Sequence, residues 1–138
     1  MHMNRNLKYL LLTILIVFLF AGYQLIKQSG IKAYKYVNNR TMDYSISDGQ
    51  YNGSFNLWDN LVLAKVEFGI SNGNIDTFAI PYLIDSPFKN VKKSVQDSIY
   101  KDSTLQFDAV SGATRSSFFV KAAILEAISK KDSTINNK

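Results

Sequence analysis

The chain opens with one long apolar segment. Between Tyr9 and Ile26 only three residues are polar or glycine. As an α-helix rising 1.5 Å per residue, this segment would be about 27 Å long, close to the thickness of a bilayer's hydrocarbon core. A cleaved signal peptide is the alternative, but Leu19 and Phe20 stand where a cleavage site needs small residues. The pattern therefore predicts an uncleaved transmembrane helix, within an anchor of residues 1–26.

Residues 27–47 are more polar, carry several basic side chains and are predicted to be a juxtamembrane linker. Ile31, Tyr34 and Val37 are spaced to share one face of a helix. Such a face would let a short basic helix lie along the lipid headgroups. A solvated spacer is an equally good interpretation of the same residues, and the sequence leaves both open.

Strand patterns follow from residue 48. Residues 61–70 alternate between apolar and polar side chains, as a half-buried strand does. The next four residues contain Asn72 and Gly73, and Asn-Gly is a strong signal for a tight hairpin turn. Residues 75–80 are predicted as the return strand, ended by Pro81 because proline cannot donate a ladder hydrogen bond.

Two amphipathic patterns complete the chain. The first begins with Ser86 as N-cap and Pro87 at the first helical position, and its apolar stripe is formed by Phe88, Val91, Val95 and Ile99. The second covers residues 118–130, with Lys121 and Glu126 on its exposed face, and residues 131–138 form a polar tail. The predicted fold class is α+β, with an N-terminal transmembrane helix, a small antiparallel sheet and two packed helices.

Composition restricts the chemistry of this domain. The chain has no cysteine and one histidine, His2, so disulfides, thiolate metal sites and a histidine-based triad are not expected. No catalytic or metal-binding residue is predicted. Residues 1–40 carry six Lys or Arg and no acid, whereas residues 41–138 carry ten Lys or Arg and eleven Asp or Glu. Because the excess positive charge flanks the apolar segment, it favours an anionic membrane surface over nucleic acid.

The candidate chemistry lies in residues 108–117, which read DAVSGATRSS and precede the last helix. Gly112 and Ala113 lack bulk, so a ligand can approach the backbone there. Thr114 is of a helix-capping type, and a helix N-terminus favours anions such as phosphate. Arg115 adds a guanidinium that suits phosphate oxygens. By itself, this pattern is more often a plain capped helix than a ligand site.

A resemblance strengthens the ligand interpretation. The family's motif is matched by Asp108, Ser111, Gly112, Ala113 and Thr114, and its opening pattern D-G-x-Y-x-G by Asp48, Gly49, Tyr51 and Gly53. The segment from about residue 48 to 130 thus resembles the FMN-binding domain family. That family includes the C subunit of sodium-pumping NADH:quinone oxidoreductase and the G subunit of the Rnf complex.

The resemblance implies a covalent flavin. In the family, a flavin transferase joins FMN through its phosphate to the threonine that closes the motif, here Thr114. Asp108, Ser111, Gly112 and Ala113 would be the signal that the transferase reads. Arg115 and the backbone at two further positions, Ser116 and Ser117, are candidate phosphate contacts. The family often has Thr-Ser where this chain has Ser116 and Ser117.

Trp58 lies in a polar loop, and the sequence allows two roles for it. Its ring could stack on a flavin. A loop aromatic that covers the edge of the core is commoner and is favoured here. The loop is not glycine-rich as in the family, so the noncovalent flavin contacts do not follow from the resemblance.

The function implied is that of a single-pass, membrane-anchored flavoprotein that relays electrons between partner proteins or quinone. A non-redox membrane-anchored interaction domain, which keeps the fold without flavin, is the alternative. The resemblance implies that the domain lies on the extracytoplasmic side. The greater number of basic residues after the apolar segment than before it favours the opposite side by the positive-inside rule.

Overall fold

The computed structural model describes residues 5–40, 46–58, 60–84 and 90–135. Its elements are three helices and three strands, in the order α1 (Arg5–Asn38), β1 (Gly49–Asn56), β2 (Val62–Ser71), β3 (Asn74–Leu83), α2 (Val91–Asp102) and α3 (Thr114–Ile135). The strands form one antiparallel sheet in the order β1-β2-β3. The predicted α+β arrangement is confirmed.

The predicted hairpin joins β2 to β3. Asn72 and Gly73 both have positive φ, 52° and 75°, as a tight hairpin turn requires. The carboxylate of Asp48 accepts hydrogen bonds from the backbone N–H groups of both residues, at 2.8 Å and 3.0 Å. These bonds lower the pKa of Asp48, because they favour its charged form. Asp48, in the opening pattern of the domain, therefore closes a turn that follows it by some 25 positions.

Strand β3 continues past Pro81 to Leu83, whereas the sequence predicted that it would end before this proline. β3 is an edge strand, and its pairing with β2 shifts register between Lys65 and Glu67, opposite the proline. An edge position and a bulge are the two places where a strand tolerates a missing N–H. The prediction failed because it treated the strand without its position in the sheet.

The core lies between the sheet and the helices. Tyr51, Phe68 and Phe78 stack across the three strands, with ring centroids 4.9 Å and 6.2 Å apart. Helix α2 buries the predicted stripe residues Val91, Val95 and Ile99. Its N-cap is Asn90, whose side chain accepts from Lys93 N at 3.1 Å. The predicted cap and first turn, Ser86 to Phe88, lie outside the described residues.

Helix α3 packs most closely on β1. A Cβ at Gly53 would collide with the backbone carbonyl of Ala123 and lie 2.8 Å from Ala127 N. Beside this contact, Ser54 N donates to the carboxylate of Glu126 at 2.8 Å. Glu126 and Lys121 are half-buried, not exposed as predicted.

Helix α3 is also longer than predicted. It extends through residues that were assigned to the polar tail, as far as Ile135. In this added turn, Lys131 donates to the backbone oxygen of Asp48 at 2.8 Å and lies 4.1 Å from the ring centroid of Tyr51.

Helix α1 extends through most of the segment predicted as a linker. It runs without interruption to Asn38, and Ser29 and Ala33 are 5% and 0% exposed. Tyr34 packs edge-on against Phe118 of α3, with ring centroids 5.2 Å apart. The ammonium group of Lys32 donates to Asn56 O and to the next carbonyl, at 3.0 Å and 2.7 Å. Residues 27–38 of the segment predicted as a linker are therefore helical, and one side of this helix packs on the domain.

The first part of α1 is much more exposed. Its residues before Ser29 are mostly exposed, and they include most of the large apolar residues that the structure exposes. Within the described residues, α1 is the one helix long and apolar enough to cross a membrane.

Gly53→Ala is expected to destabilise the domain. The added methyl group meets the α3 backbone, which cannot move without displacing the core, so we expect a loss of about 2 kcal/mol or more. For a domain of this size, such a loss lowers Tm by roughly 10 °C. Thermal unfolding of the full chain in detergent, followed by far-UV circular dichroism, measures the shift.

The matched control is Asn52→Ala, at the exposed neighbouring position of β1. Its effect should stay within about 0.5 kcal/mol. Equal Tm values for the two variants would show that the close approach at Gly53 is not a constraint on the fold.

Candidate functional site

The motif residues form a tight turn that leads into α3. Ala113 N donates to Val110 O at 2.9 Å, and Gly112, the third residue of this turn, has φ 80°. A positive φ at the third position defines a type II turn, which glycine adopts without strain. Gly112 and Ser111 are exposed, whereas Ala113 is buried. The geometry of the turn is therefore enough to explain why the motif has a glycine at position 112, before any ligand is considered.

Ser117 fixes this turn to the helix. Its hydroxyl accepts from Val110 N at 2.9 Å and donates to Ala113 O at 3.1 Å. Its own backbone N–H also donates to Ala113 O, at 3.1 Å. Ser117 is fully buried. It was predicted as a phosphate contact, but its N–H and hydroxyl are occupied in holding the turn.

Ser116 joins the start of α3 to the end of the sheet. Its side chain is buried, and its hydroxyl donates to Ile84 O at 3.2 Å. Ile84 N in turn donates to Leu63 O at 2.9 Å, which attaches this position to β2. The hydroxyl of Ser116 therefore positions the helix start, and the group that remains for a ligand is its backbone N–H.

No side chain of the residues that the structure describes caps the start of α3. Ala113 stands at the N-cap position, because its carbonyl accepts the first helical hydrogen bond, and alanine has no oxygen to offer the N–H groups that follow. The N–H groups of Thr114, Arg115 and Ser116 precede that first bond. Together with the helix dipole, these three N–H groups form an anion-binding site, the anion seat. Thr114 is exposed at this end, so its hydroxyl is open to a reagent.

Arg115 lies between this seat and α1. Its stem packs on Gly30, where a Cβ would meet Arg115 Cδ at 3.2 Å. It also lines a small cavity of about 140 Å³ beside α1, whereas the residue as a whole is exposed. The sequence predicted Arg115 as a phosphate contact, and the structure puts it next to the helix start that would receive the phosphate.

Asp108 is exposed and lies at a different opening. It lines a cleft of about 430 Å³ together with Leu105, Gln106, Phe107, Val37, Arg40 and Lys121. A volume above about 300 Å³ is in the range of small-molecule sites. The predicted site residues are therefore split between the helix start and a neighbouring cleft.

Two cations of this cleft were not predicted as site residues. Lys121 Nζ lies 5.2 Å from the ring centroid of Phe107 and 5.6 Å from that of Phe118. The guanidinium carbon of Arg40 lies 4.4 Å from the ring centroid of Tyr36. Local sequence gave no signal for either residue. Arg40 was assigned to the linker, and Lys121 was assigned to a solvated helix face.

The donor set fits a phosphorylated, partly aromatic ligand better than a metal ion. Unpaired helix N–H groups and a guanidinium suit a phosphate group, and the adjacent cleft combines cations with an aromatic ring. Over the described ranges, no group of His, Asp or Glu side chains could hold a metal ion.

Comparison with known proteins agrees with this geometry. The family model described as "FMN-binding domain" matches residues 31–129. The match begins within α1, in the half that packs on the domain. Comparison with curated proteins and with solved structures gave no match. Family membership supports a flavin-binding role with FMN as the cofactor. Because the match covers most of the chain, this protein belongs to the FMN-binding domain family.

Proposed function

We propose that this protein is a membrane-anchored flavoprotein that carries FMN covalently on Thr114 and relays electrons between partners. The observation that carries the proposal is an exposed threonine at an uncapped helix start, within a chain that belongs to an FMN-binding family. A hydroxyl beside an anion seat is suitably positioned to become a phosphoester, because the same N–H groups that attract phosphate bring it to the oxygen.

Each residue of the site has a role in this proposal. The backbone N–H groups at Thr114, Arg115 and Ser116 hold the FMN phosphate, and the Arg115 guanidinium offsets its charge. Ser111 and Gly112, exposed and small, leave room for a flavin transferase to reach the threonine. Asp108 is a recognition residue for that enzyme and lies at the neighbouring cleft. When bound, FMN supplies the electron chemistry, and the protein supplies attachment and orientation.

The cleft beside Asp108 is the proposed place for the rest of the cofactor. Its volume of about 430 Å³ exceeds that of the cavity next to α1, about 140 Å³. Arg40 and Lys121 would put positive charge near the flavin, which stabilises an anionic reduced ring. The sequence has no dinucleotide-binding glycine motif, so the electrons are expected to come from a partner and not from NADH bound to this chain.

Thr114→Ala should abolish flavin attachment. In a host that contains a flavin transferase, the intact mass of the purified wild-type chain should exceed its sequence mass by one FMN less one water. The variant should show the sequence mass, because no other hydroxyl replaces the Thr114 oxygen at the anion seat. Thr114→Ser should keep the added mass, since the hydroxyl is the reacting group.

Thr77→Ala is the matched control, because Thr77 is an exposed threonine on β3. It should retain the full added mass. An unmodified wild-type chain in the same host would refute covalent attachment and favour the non-redox interaction domain.

We place the domain on the extracytoplasmic side. The positive-inside rule favours the cytoplasm, because Lys27, Lys32, Lys35 and Arg40 follow the apolar segment. Lys32, however, binds two domain carbonyls, so part of this charge serves the fold. The family resemblance favours the outer face, and we follow it.

Protease treatment of intact protoplasts tests this orientation. The domain should be degraded while a cytoplasmic marker protein stays intact, because only extracytoplasmic segments meet the protease. Lysed protoplasts serve as the control for cleavability. A domain that survives in intact cells and is cleaved after lysis would place it in the cytoplasm.

The flavinylated protein should act as a relay and not as a self-contained enzyme. Dithionite should bleach its flavin absorbance, and a quinone or a partner protein should restore it. NADH alone should reduce it at a negligible rate, because the sequence has no dinucleotide-binding glycine motif. Stopped-flow absorbance with each reductant gives the rates. Rapid reduction of the purified protein by NADH would contradict the relay.

A further inference from the structure

Three large apolar side chains are exposed at one end of the sheet. Trp58, Leu61 and Ile84 are 55%, 39% and 41% exposed. Leu61 closes the turn that contains Trp58, through bonds of Leu61 N to Trp58 O and Leu57 N to Leu61 O, at 3.1 Å and 2.9 Å. Ile84 joins the same end through its bond to Leu63 O. We call these three residues the apolar edge.

The apolar edge continues into the apolar part of α1. Leu61 and Ile84 line the cavity of about 140 Å³, whose other wall includes Leu25 and Ile26. Those two α1 residues end the run of apolar side chains that begins at Tyr9. The domain therefore lies next to the last apolar residues of the candidate membrane span, across this cavity.

Several contacts join α1 to the domain. Ser29 and Ala33 are buried against the domain, and Lys32 donates to two carbonyls at the end of β1. Arg115 fills the space left by the missing side chain of Gly30. A swing of the domain away from α1 would break these contacts together, so the height of the apolar edge is fixed relative to the span.

Helix geometry gives that height. The apolar run from Tyr9 to Ile26 makes about 27 Å of helix, so a hydrocarbon core of about 30 Å that is centred on this run ends near Ile26. Leu61 and Ile84 of the apolar edge face the helix at this level, across the shared cavity. Tryptophan is enriched at the membrane interface because its ring is apolar and its N–H is polar. The exposed cations Lys27 and Arg115 lie close by, where lipid phosphates would meet them.

We propose that the apolar edge is a lipid-docking surface, so that Trp58, Leu61 and Ile84 rest in the interfacial layer of the membrane that α1 crosses. This inference rests on the membrane span of the proposed function. It holds whether or not Thr114 carries FMN. Ser116 joins the start of α3 to Ile84, and Arg115 joins it to α1. Docking of the apolar edge would therefore hold the start of α3 at the membrane surface, where it faces its reaction partners.

Trp58 is the one tryptophan of the chain, so its fluorescence reports on this edge alone. The full chain, in the Thr114→Ala form to avoid flavin quenching, is reconstituted into phosphatidylcholine–phosphatidylglycerol vesicles. A second set of vesicles carries bromine near the top of the acyl chains. Docking predicts blue-shifted Trp58 emission and a loss of roughly half of its intensity with brominated lipid, as for an indole at the interface.

The matched control moves the tryptophan to the other end of the sheet. Trp58→Phe combined with Asn74→Trp puts it at an exposed position after the hairpin, about 30 Å along the strands from the apolar edge. Emission from this variant should be red-shifted, quenched by acrylamide and insensitive to brominated lipid. Leu61→Glu, in the chain that keeps Trp58, should reduce lipid quenching, because a carboxylate opposes insertion of the edge.

Flotation of the vesicles on a density gradient separates the possible failures. Protein that fails to float refutes the membrane span, and the docking surface with it. Protein that floats but whose Trp58 is open to acrylamide and unaffected by brominated lipid refutes the docking surface and leaves the span intact. Loss of the mass shift at Thr114 bears on flavin attachment only.

Discussion

The close packing of α3 on the sheet is the contact on which the other features depend. It is possible because β1 has glycine at position 53, where any side chain would meet the α3 backbone. This contact lies in the middle of α3, and each end of the helix has a further role. At its C-terminal end Lys131 binds Asp48, the residue whose carboxylate closes the β2–β3 turn. At its N-terminal end stands the motif threonine.

The same helix explains how an uncapped N-terminus is tolerated. An alanine at the N-cap costs about 1 kcal/mol relative to serine or aspartate. Here the surrounding contacts hold the helix start in place, through Ser117 to the turn and Ser116 to Ile84. The N–H groups of the first turn are thus left for an external anion. On the proposed function, structural and ligand-binding roles are divided between adjacent residues of one short motif.

Helix α1 determines how far the domain lies from the candidate membrane span. A flexible linker would allow the domain to search for partners at a distance. A continuous helix that buries Ala33 and binds through Lys32 fixes the domain close to the span. On the proposed function, partners would then meet the domain at the membrane surface, which suits carriers that are themselves in or on the bilayer. The family match, which begins at residue 31, includes this part of α1 in the domain.

The sequence by itself determined the local features. The α+β class, the apolar helix, the Asn72–Gly73 turn and the stripe on α2 follow from periodicity and turn chemistry, which are encoded within a few neighbouring residues. The motif was recognisable for the same reason, because its small residues and threonine are contiguous. Family membership followed from that motif and is confirmed by the match.

Tertiary structure decided the features that depend on contacts between residues far apart in the sequence. Pro81 stays in a strand because that strand is at an edge and opposite a bulge. Residues 27–38 are a packed helix because α3 and β1 cover one side of it. Trp58, expected to cover the core, is largely exposed, and Lys121 and Arg40 line a cleft that no local pattern indicated. Burial and site membership are properties of packing between elements, and a single sequence records only the propensity of each element.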